Sequence, residues 1–269
     1  MVNFENKERY DVYDLKKIVS LLRGPGGCPW DAEQTHESIR RNFLEEAYEA
    51  VEAIDESDTN HLCEELGDVL LQVMFHSDIE EAAGRFDLDD VADMSVRKLL
   101  TRHPHVFGDI KVSGSDDDIE NWEIIKRAEK KQETVADSLD AVARSLPGLW
   151  RAEKLQKKAA KVGFDWPDIS GAMDKLDEEL AELKEAVRTD SGTAEELGDL
   201  IFSAVNVARL LDIDPEEALN STSEKFTARF RRLEEAAAAQ GKSLEQMTLP
   251  EMDTLYEAAK KELENKYDK

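Results

Sequence analysis

Two acidic signatures, one in each half of the chain, constrain its fold more than any other feature. Glu45-Glu46-Ala47-Tyr48-Glu49 is followed by Glu64-Glu65-Leu66-Gly67-Asp68, and Glu178-Glu179-Leu180-Ala181-Glu182 by Glu195-Glu196-Leu197-Gly198-Asp199. Residues three apart share a face of an α-helix. Glu46/Glu49 and Glu65/Asp68 are therefore two carboxylate pairs, each on one side of its helix, and Glu179/Glu182 and Glu196/Asp199 repeat the arrangement. The midpoint of the first set is residue 57, inside the turn-type run Asp55-Glu56-Ser57-Asp58-Thr59-Asn60. The second set centres on Thr189, beside Asp190-Ser191-Gly192. Folding the helices back at these turns brings Glu49 level with Glu65 and Glu46 level with Asp68. Four carboxylates converging between two helices repel one another strongly unless a cation sits among them. Hard oxygen ligands of this kind suit Mg²⁺, with Mn²⁺ as the alternative.

In a chain that is 36% charged, an isolated Glu-x-x-Glu spacing is ordinarily a solvated helix face. Pairing, recurrence and a turn at both midpoints set these two apart. A glycine inside a helix costs about 1 kcal/mol against alanine. Gly67 and Gly198 are therefore expected to permit close helix packing.

At 269 residues, 41% of them apolar, the chain can bury one large core or two small ones. Alanine, glutamate, leucine and lysine dominate, prolines number 7 and alternating β-type runs are scarce, which predicts an all-α fold. No apolar run approaches the roughly 18 residues of a membrane span, and no secretory leader opens the chain, so a cytoplasmic location is expected. Cys28 and Cys63 do not make a disulfide framework and fit that compartment. A formal net charge of -26 repels DNA, RNA and anionic membranes, which argues against polymer or membrane binding. A small nucleotide is not excluded, because bound metal and a few placed lysines reverse the local potential.

Two units of similar plan follow one another. In the first, a helix from about Tyr10 to Leu22 ends at a loop containing Gly24-Pro25-Gly26-Gly27-Cys28-Pro29-Trp30-Asp31, and an acidic hairpin runs from about Glu37 to Ala83. In the second, a helix from about Leu149 to Lys161 ends at Val162-Gly163-Phe164-Asp165-Trp166-Pro167, and the hairpin runs from about Ser170 to Leu211. The offset between units is 133 residues at Glu46/Glu179 and 131 at Glu65/Glu196. Downstream, Lys98 and Arg102 parallel Lys225 and Arg229, and Trp122 and Lys126 parallel Tyr256 and Lys260. We divide the chain into residues 1–133, a linker at 134–146 and residues 147–269.

These motifs resemble the MazG family of bacterial nucleoside triphosphate pyrophosphohydrolases. The likeness rests on Cys28-Pro29-Trp30-Asp31 with Gln34-Thr35, Leu44-Glu45-Glu46-Ala47-Tyr48-Glu49, Glu64-Glu65-Leu66-Gly67-Asp68 and Arg102-His103-Pro104-His105-Val106-Phe107. Lys154-Leu155-Gln156-Lys157, Val162-Gly163-Phe164-Asp165-Trp166 and Glu195-Glu196-Leu197-Gly198-Asp199 extend it over nearly the whole chain. The resemblance implies a tandem of two MazG-type helical bundles that dimerise. It implies Mg²⁺-dependent hydrolysis of nucleoside triphosphates to monophosphate and pyrophosphate, with the C-terminal unit carrying most of the activity.

Cleavage between the α and β phosphates requires water to attack phosphorus while negative charge is neutralised. The expected metal ligands are Glu179, Glu182, Glu196 and Asp199 and, by symmetry, Glu46, Glu49, Glu65 and Asp68. Glu178, and by symmetry Glu45, is the nearest spare carboxylate for a general base. Lys225 and Arg229 are suited to grip the phosphate tail, as are Lys98 and Arg102 in the first unit. Tyr256 and Lys260, and their counterparts Trp122 and Lys126, are expected at the base, ribose or phosphate, although the family more often has Trp where Tyr256 stands. Trp166 is either a stacking platform or a packing anchor. His103 and His105, separated by Pro104, fit an ordered loop better than a metal site, and neither cysteine has the setting of a nucleophile. Two other functions remain: a catalytically weak helical module whose acidic hairpins bind a partner or a second copy, and a narrower dUTP or dCTP pyrophosphatase. The complete residue set in both halves disfavours decay, and the length of the likeness disfavours the narrower enzymes. Helical units of this size leave an apolar stripe exposed, and at least a homodimer is expected.

Overall fold

The computed structural model describes residues 3–108 and 134–267, and these divide between two compact units, one ending at residue 126 and the other beginning at 127. No strand occurs among the described residues, so the all-α expectation holds. In the first unit α1 (Val12–Arg23) leads through the short α2 (Pro29–Glu33) to a long hairpin of α3 (His36–Asp55) and α4 (Thr59–Ala82). Then come α5 (Leu88–Arg102) and the turn-length α6 (Pro104–Phe107). In the second, α7 (Val135–Asp140) and α8 (Gly148–Ala160) precede the hairpin of α9 (Ile169–Thr189) and α10 (Thr193–Leu210). A second antiparallel pair, α11 (Pro215–Ala239) and α12 (Leu249–Tyr267), follows across a short 3-10 turn.

Local chemistry sets the ends of these helices. Asp11 and Asp14 form a reciprocal capping box at the start of α1, Thr35 and Ser38 one at α3, and Asp87 and Asp90 one at α5. Both hairpin turns fall at the anticipated midpoints. Between α3 and α4 the chain reverses at Ser57, with φ 58°, and Asp58 caps α4 by accepting from the Asn60 and His61 amides. Between α9 and α10, Asp190 and Gly192 take left-handed backbone at φ 53° and 75°, conformations that Asp tolerates and Gly adopts at no steric cost.

Residues 134–146, the expected linker, contain α7. The Thr134-x-x-Asp137 pattern there is a capping box, with each side chain accepting from the other's amide. Ser138 and Val142 are buried, and Lys158 Nζ of α8 donates to Ser138 Oγ at 2.8 Å. The segment is thus built into the second unit. Polar composition alone did not distinguish a helix cap from a spacer.

The core of the first unit is Val19, Ile39, Met74 and Phe75, flanked by Leu15, Leu71, Ile79 and Leu88. Buried positions of the second include Ala172, Ala186, Val205, Leu233 and Ala237. Large apolar side chains also remain exposed on both hairpins: Leu44, Tyr48, Val51, Leu66 and Leu70 in one, Met173, Leu180, Val187, Leu197 and Ile201 in the other. Gly67 and Gly198 lie among them. A Cβ built at either meets nothing within 4 Å, so the close helix packing expected of them has no neighbour inside their own unit. They face outward, away from the partner helix.

A polar tie holds the first hairpin at the end remote from its turn. Glu80 is 7% exposed and accepts from Arg85 Nε and Nη2 at 2.5 and 2.7 Å and from His36 Nε2 at 2.5 Å. His36 and His76 stack at 4.9 Å between centroids, with their Nδ1 atoms 2.7 Å apart. The Arg85 guanidinium, then His36, pull the Glu80 carboxyl from its usual 4.5 to about 2. Because the folded value lies below the unfolded one, the tie stabilises fully above pH about 4.5 and fades as pH falls towards about 2. Glu80→Gln should therefore lower the melting temperature at pH 7, with the gap to wild type narrowing at pH 3. Thermal unfolding followed by circular dichroism at both pH values checks this, and a gap independent of pH would contradict it.

Candidate active site

The hairpins converge their carboxylates as the spacing demands. In the first unit Glu46 and Glu49 on α3 meet Glu65 on α4, with one oxygen from each lying within 4.8 Å of the others. In the second unit Glu179 on α9 meets Glu196 and Asp199 on α10 within the same limit. Asp68 and Glu182, the fourth members, fall outside these tight triads. They remain close enough to act electrostatically on Glu46 and Glu196 respectively. All eight expected ligands thus belong to the two clusters, six in tight triads and two at their margins.

Burial is graded across each cluster. Glu65 is 7% and Glu179 6% exposed, Glu46 and Glu196 are half-buried, and Glu49, Glu182 and Asp199 open to solvent. The carboxyls of Glu46, Glu65 and Glu196 are pushed above their usual range, first by burial and then by neighbouring carboxylates. Asp68 heads the neighbours of Glu46, Glu49 those of Glu65, and Glu182 those of Glu196. Glu65 Oε2 is buried with no hydrogen-bond partner, while its Oε1 lies 3.2 Å from His61 Nε2. A buried polar oxygen left without a donor costs roughly 1–3 kcal/mol, and more when charged. Every donor in both triads is a carboxylate oxygen, the ligand type of hard divalent cations. The residues therefore fit a metal ion, and the orphaned oxygen supplies the observation that separates this cluster from ordinary surface acid.

Glu179 has a partner the sequence reading overlooked. Lys175 Nζ lies 2.8 Å from Glu179 Oε1 and 2.9 Å from Glu178 Oε1, placing a cation at the edge of the second cluster. The signal was the i, i+4 spacing of Lys175 and Glu179, indistinguishable in sequence from the many other such pairs. Glu178 and Glu45 are exposed, and each is ion-paired, Glu45 with Arg41 Nε at 2.8 Å.

The cationic and aromatic residues occupy other elements. Lys225 and Arg229 lie on α11, and Tyr256 and Lys260 on the adjacent α12. Arg229 Nη2 pairs with Glu264 at 3.2 Å, and the Tyr256 ring lies 5.9 Å from Phe226. Among the described residues, no hydrogen bond or ion pair joins these four to the acidic cluster. Lys98 is exposed and Arg102 half-buried on α5, whereas Trp122 and Lys126 lie outside the described residues. Trp166, 42% exposed, packs on the first turn of α9: a Cβ at Gly171 would stand 2.5 Å from its ring. It is an anchored ring with an open side. His103 Nδ1 lies 2.8 Å from the Leu99 carbonyl and its ring 5.7 Å from that of His105, so the histidines serve the end of α5. Cys28 and Cys63 are free thiols.

Two anionic clusters, each built on a helical hairpin and each able to hold a metal ion, are suited to binding a polyphosphate and activating water beside it. No helix of the described residues is long and apolar enough to cross a membrane. The family model of the MazG nucleotide pyrophosphohydrolase domain matches residues 34–107 and again 169–233, covering both hairpins. The chain is 43% identical over 247 residues to the Thermotoga maritima nucleoside triphosphate pyrophosphohydrolase/pyrophosphatase MazG, covering 92% of this chain and 94% of that one. It is 41% identical over 253 residues to the Escherichia coli nucleoside triphosphate pyrophosphohydrolase, covering 92% and 96%. It is also 49% identical over 250 residues to Bacillus subtilis YabN, covering 91% of this chain and 51% of that protein. Two copies of the domain and alignment along nearly the full length of two relatives carry the same conclusion: the chain belongs to the MazG family of nucleotide pyrophosphohydrolases.

Proposed function

We propose that the protein hydrolyses nucleoside triphosphates, ribo and deoxy, to the monophosphate and pyrophosphate, and so clears the nucleotide pool. The observation that carries this reading is the carboxylate triad inside each hairpin, with Glu65 Oε2 buried and unpartnered, in a chain whose relatives are named for that activity. Mg²⁺, with Mn²⁺ as the substitute, is the proposed metal, held by Glu179, Glu182, Glu196 and Asp199 and in the first unit by Glu46, Glu49, Glu65 and Asp68. When bound, the ion supplies charge neutralisation for the phosphates and lowers the pKa of water.

The chain's own residues have distinct tasks in this account. Glu179 and Glu196, the more buried ligands, fix the ion's place between the helices, while exposed Asp199 and Glu182 leave the triphosphate a side to approach. Lys175, already bridging Glu178 and Glu179, offsets charge at the edge of the cluster. Glu178 is the proposed base, with Glu45 in the first unit. Each must leave an exposed ion pair to take a proton, and such pairs are worth only about 0–1 kcal/mol. Lys225, Arg229, Tyr256 and Lys260, like Lys98, Arg102, Trp122 and Lys126, are the proposed phosphate and nucleoside contacts, supported by their matched order in the two units.

Homodimerisation is supported by the apolar side chains left exposed on both hairpins and by Gly67 and Gly198 among them, which give clearance for a second copy rather than for their own hairpin. Light scattering at micromolar concentration should then give at least twice the chain mass of 30.4 kDa, and a monomer mass would count against it.

With Mg²⁺, ATP or dGTP should yield monophosphate and pyrophosphate, and EDTA should stop turnover. Release of diphosphate and orthophosphate would refute the reaction. Glu179→Gln or Asp199→Asn should slow steady-state hydrolysis at least about 100-fold, roughly 2.7 kcal/mol of transition-state stabilisation. Glu46→Gln and Asp68→Asn should leave much of the activity. Inactive first-unit variants beside active second-unit ones would reverse the ranking.

A further inference from the structure

One cluster of titratable side chains in the first unit has no part in the metal site. It lies at the end of the hairpin remote from the turn. His36 opens α3 there, His76 and Glu80 sit in the last turns of α4, and Arg85 follows in the loop to α5. His76 is eight residues beyond Asp68, about 12 Å along the helix, so the cluster stands clear of the carboxylates. Two imidazoles form its centre. Their planes are 11° apart, their centroids 4.9 Å and their Nδ1 atoms 2.7 Å. Overlaid rings need about 3.5 Å between their atoms. With the nitrogens closer than that, the stack is a slipped one, and Nδ1 meets Nδ1 at the ring edges.

This contact limits how many protons the pair can hold. A nitrogen–nitrogen contact of 2.7 Å needs one N–H donor and one bare acceptor, so a single proton lies between the two Nδ1 atoms. The Glu80 carboxylate can only accept, so His36 Nε2 carries a second proton. Nε2 of His76 is the nitrogen left to load. While it is bare, both rings are neutral. Once it is protonated the pair carries one positive charge, and the shared proton can rest on either ring. A further proton would set N–H against N–H and two like charges side by side. The pair therefore accepts one charge and is broken by a second. Burial, then the charge of His36, push the His76 imidazole below its usual 6.5, the direction this geometry demands.

The surroundings support the first charge and leave the second without a partner. Glu80 faces His36 and is itself gripped by Arg85 Nε and Nη2. On α3, Glu37 and Arg40 lie within one turn of His36. The Glu37 carboxyl is held below its usual range by its own backbone amide and Thr35, with a smaller pull from His36. From α1, Arg23 pairs with Asp78 at 2.9 Å and Lys16 with Glu81 at 3.0 Å. The short α2 carries Asp31 and Glu33. From α5 come Asp89 and Asp87, the latter drawn below its usual range by the Asp90 amide. His76 instead meets the Phe43 ring edge-on at 5.8 Å, and among the described residues no carboxylate bonds to it. A cation at His36 is also opposed by the helix dipole, because this residue is the first of α3.

We propose that His36 and His76 are a one-charge latch that fastens the first turn of α3 to the end of α4 and opens when a second proton charges both rings. The unfolded chain takes that proton more readily than the folded one. The latch therefore stabilises fully above pH about 6.5 and is lost as pH falls below it, well before the Glu80 contacts fade. Opening frees the entry to α3, where Gln34 Nε2 donates to the Trp30 carbonyl and Ser38 Oγ to Gln34 Oε1, both at 2.7 Å. By the offsets of 133 and 131 residues, the second unit has Ile169, Val207, Leu211 and Glu216 in place of His36, His76, Glu80 and Arg85. Mild acid thus loosens one unit and spares the other.

The test follows the five histidines of the ¹⁵N-histidine-labelled full chain by long-range ¹H–¹⁵N correlation from about pH 8 to pH 5. The variants His36→Asn and His76→Phe assign the signals. His36 and His76 should titrate as a coupled pair, in two steps more than one pH unit apart, and His36 should revert to a single step in His76→Phe. Amide exchange followed by mass spectrometry should accelerate at least tenfold over residues 35–39 between about pH 7 and pH 5, relative to peptides of α9 and α10. His76→Phe should show no such acceleration. Single-step titration of both rings at one midpoint, or exchange over 35–39 that tracks α9 and α10, would overturn the latch. Both of these readings come from the wild-type chain and hold even where a variant fails to fold.

Discussion

Like charges held together inside a helical hairpin govern this molecule. Bringing Glu46, Glu49 and Glu65 within 4.8 Å, and Glu179 with Glu196 and Asp199 likewise, is unfavourable for the bare chain. The raised carboxyls of Glu46, Glu65 and Glu196 record that cost, with burial the largest single cause and the neighbouring carboxylates next. The remaining architecture holds the acids in place. Capped helix starts, left-handed turn residues at Asp190 and Gly192, and the distal tie of Glu80 to Arg85 and His36 fix the register of the long helices. A cation bound among them would convert the repulsion into binding energy, and its binding would then be linked to folding of the hairpins.

Duplication preserved the clusters and let their surroundings diverge. Each buried glutamate has a different neighbour, His61 beside Glu65 and Lys175 beside Glu179. The differences grow with distance along the hairpin. Where α4 carries Phe75 and Asp78, packed against the core and Arg23, α10 carries Asn206 and Arg209, which face a cavity. The carboxylate spacing on each helix is the same in the two units. The part beyond it is free to become core in one unit and to line a cavity in the other.

Much of this was legible in the sequence because it depends on spacing. The i, i+3 carboxylates, the turn at residue 57 and the break at Asp190 follow from helical periodicity and turn chemistry, and α1, α8 and both hairpins begin and end within a residue or two of expectation. What depended on side-chain direction was not legible. Gly67 and Gly198 signalled a close approach, but the helix face on which they lie points outward, a fact no spacing rule conveys. Thr134-x-x-Asp137 had the composition of a spacer and the geometry of a cap. Gln156 was visible within a motif, yet its unpartnered oxygen appears only once α8 is packed against α10. Lys175 was hidden among many equivalent helix-surface pairs.

The central claim is that the clusters are cation sites, and direct metal binding tests it without reference to turnover. Mn²⁺ titrated into the metal-free full chain can be followed by loss of the free-ion electron paramagnetic resonance signal, for wild type and for the combined Glu65→Gln and Glu196→Gln variant. The account predicts saturable Mn²⁺ uptake by wild type, competed by Mg²⁺, and at least tenfold weaker uptake by the variant with its helical circular dichroism intact. Equal Mn²⁺ uptake by the two proteins would contradict it.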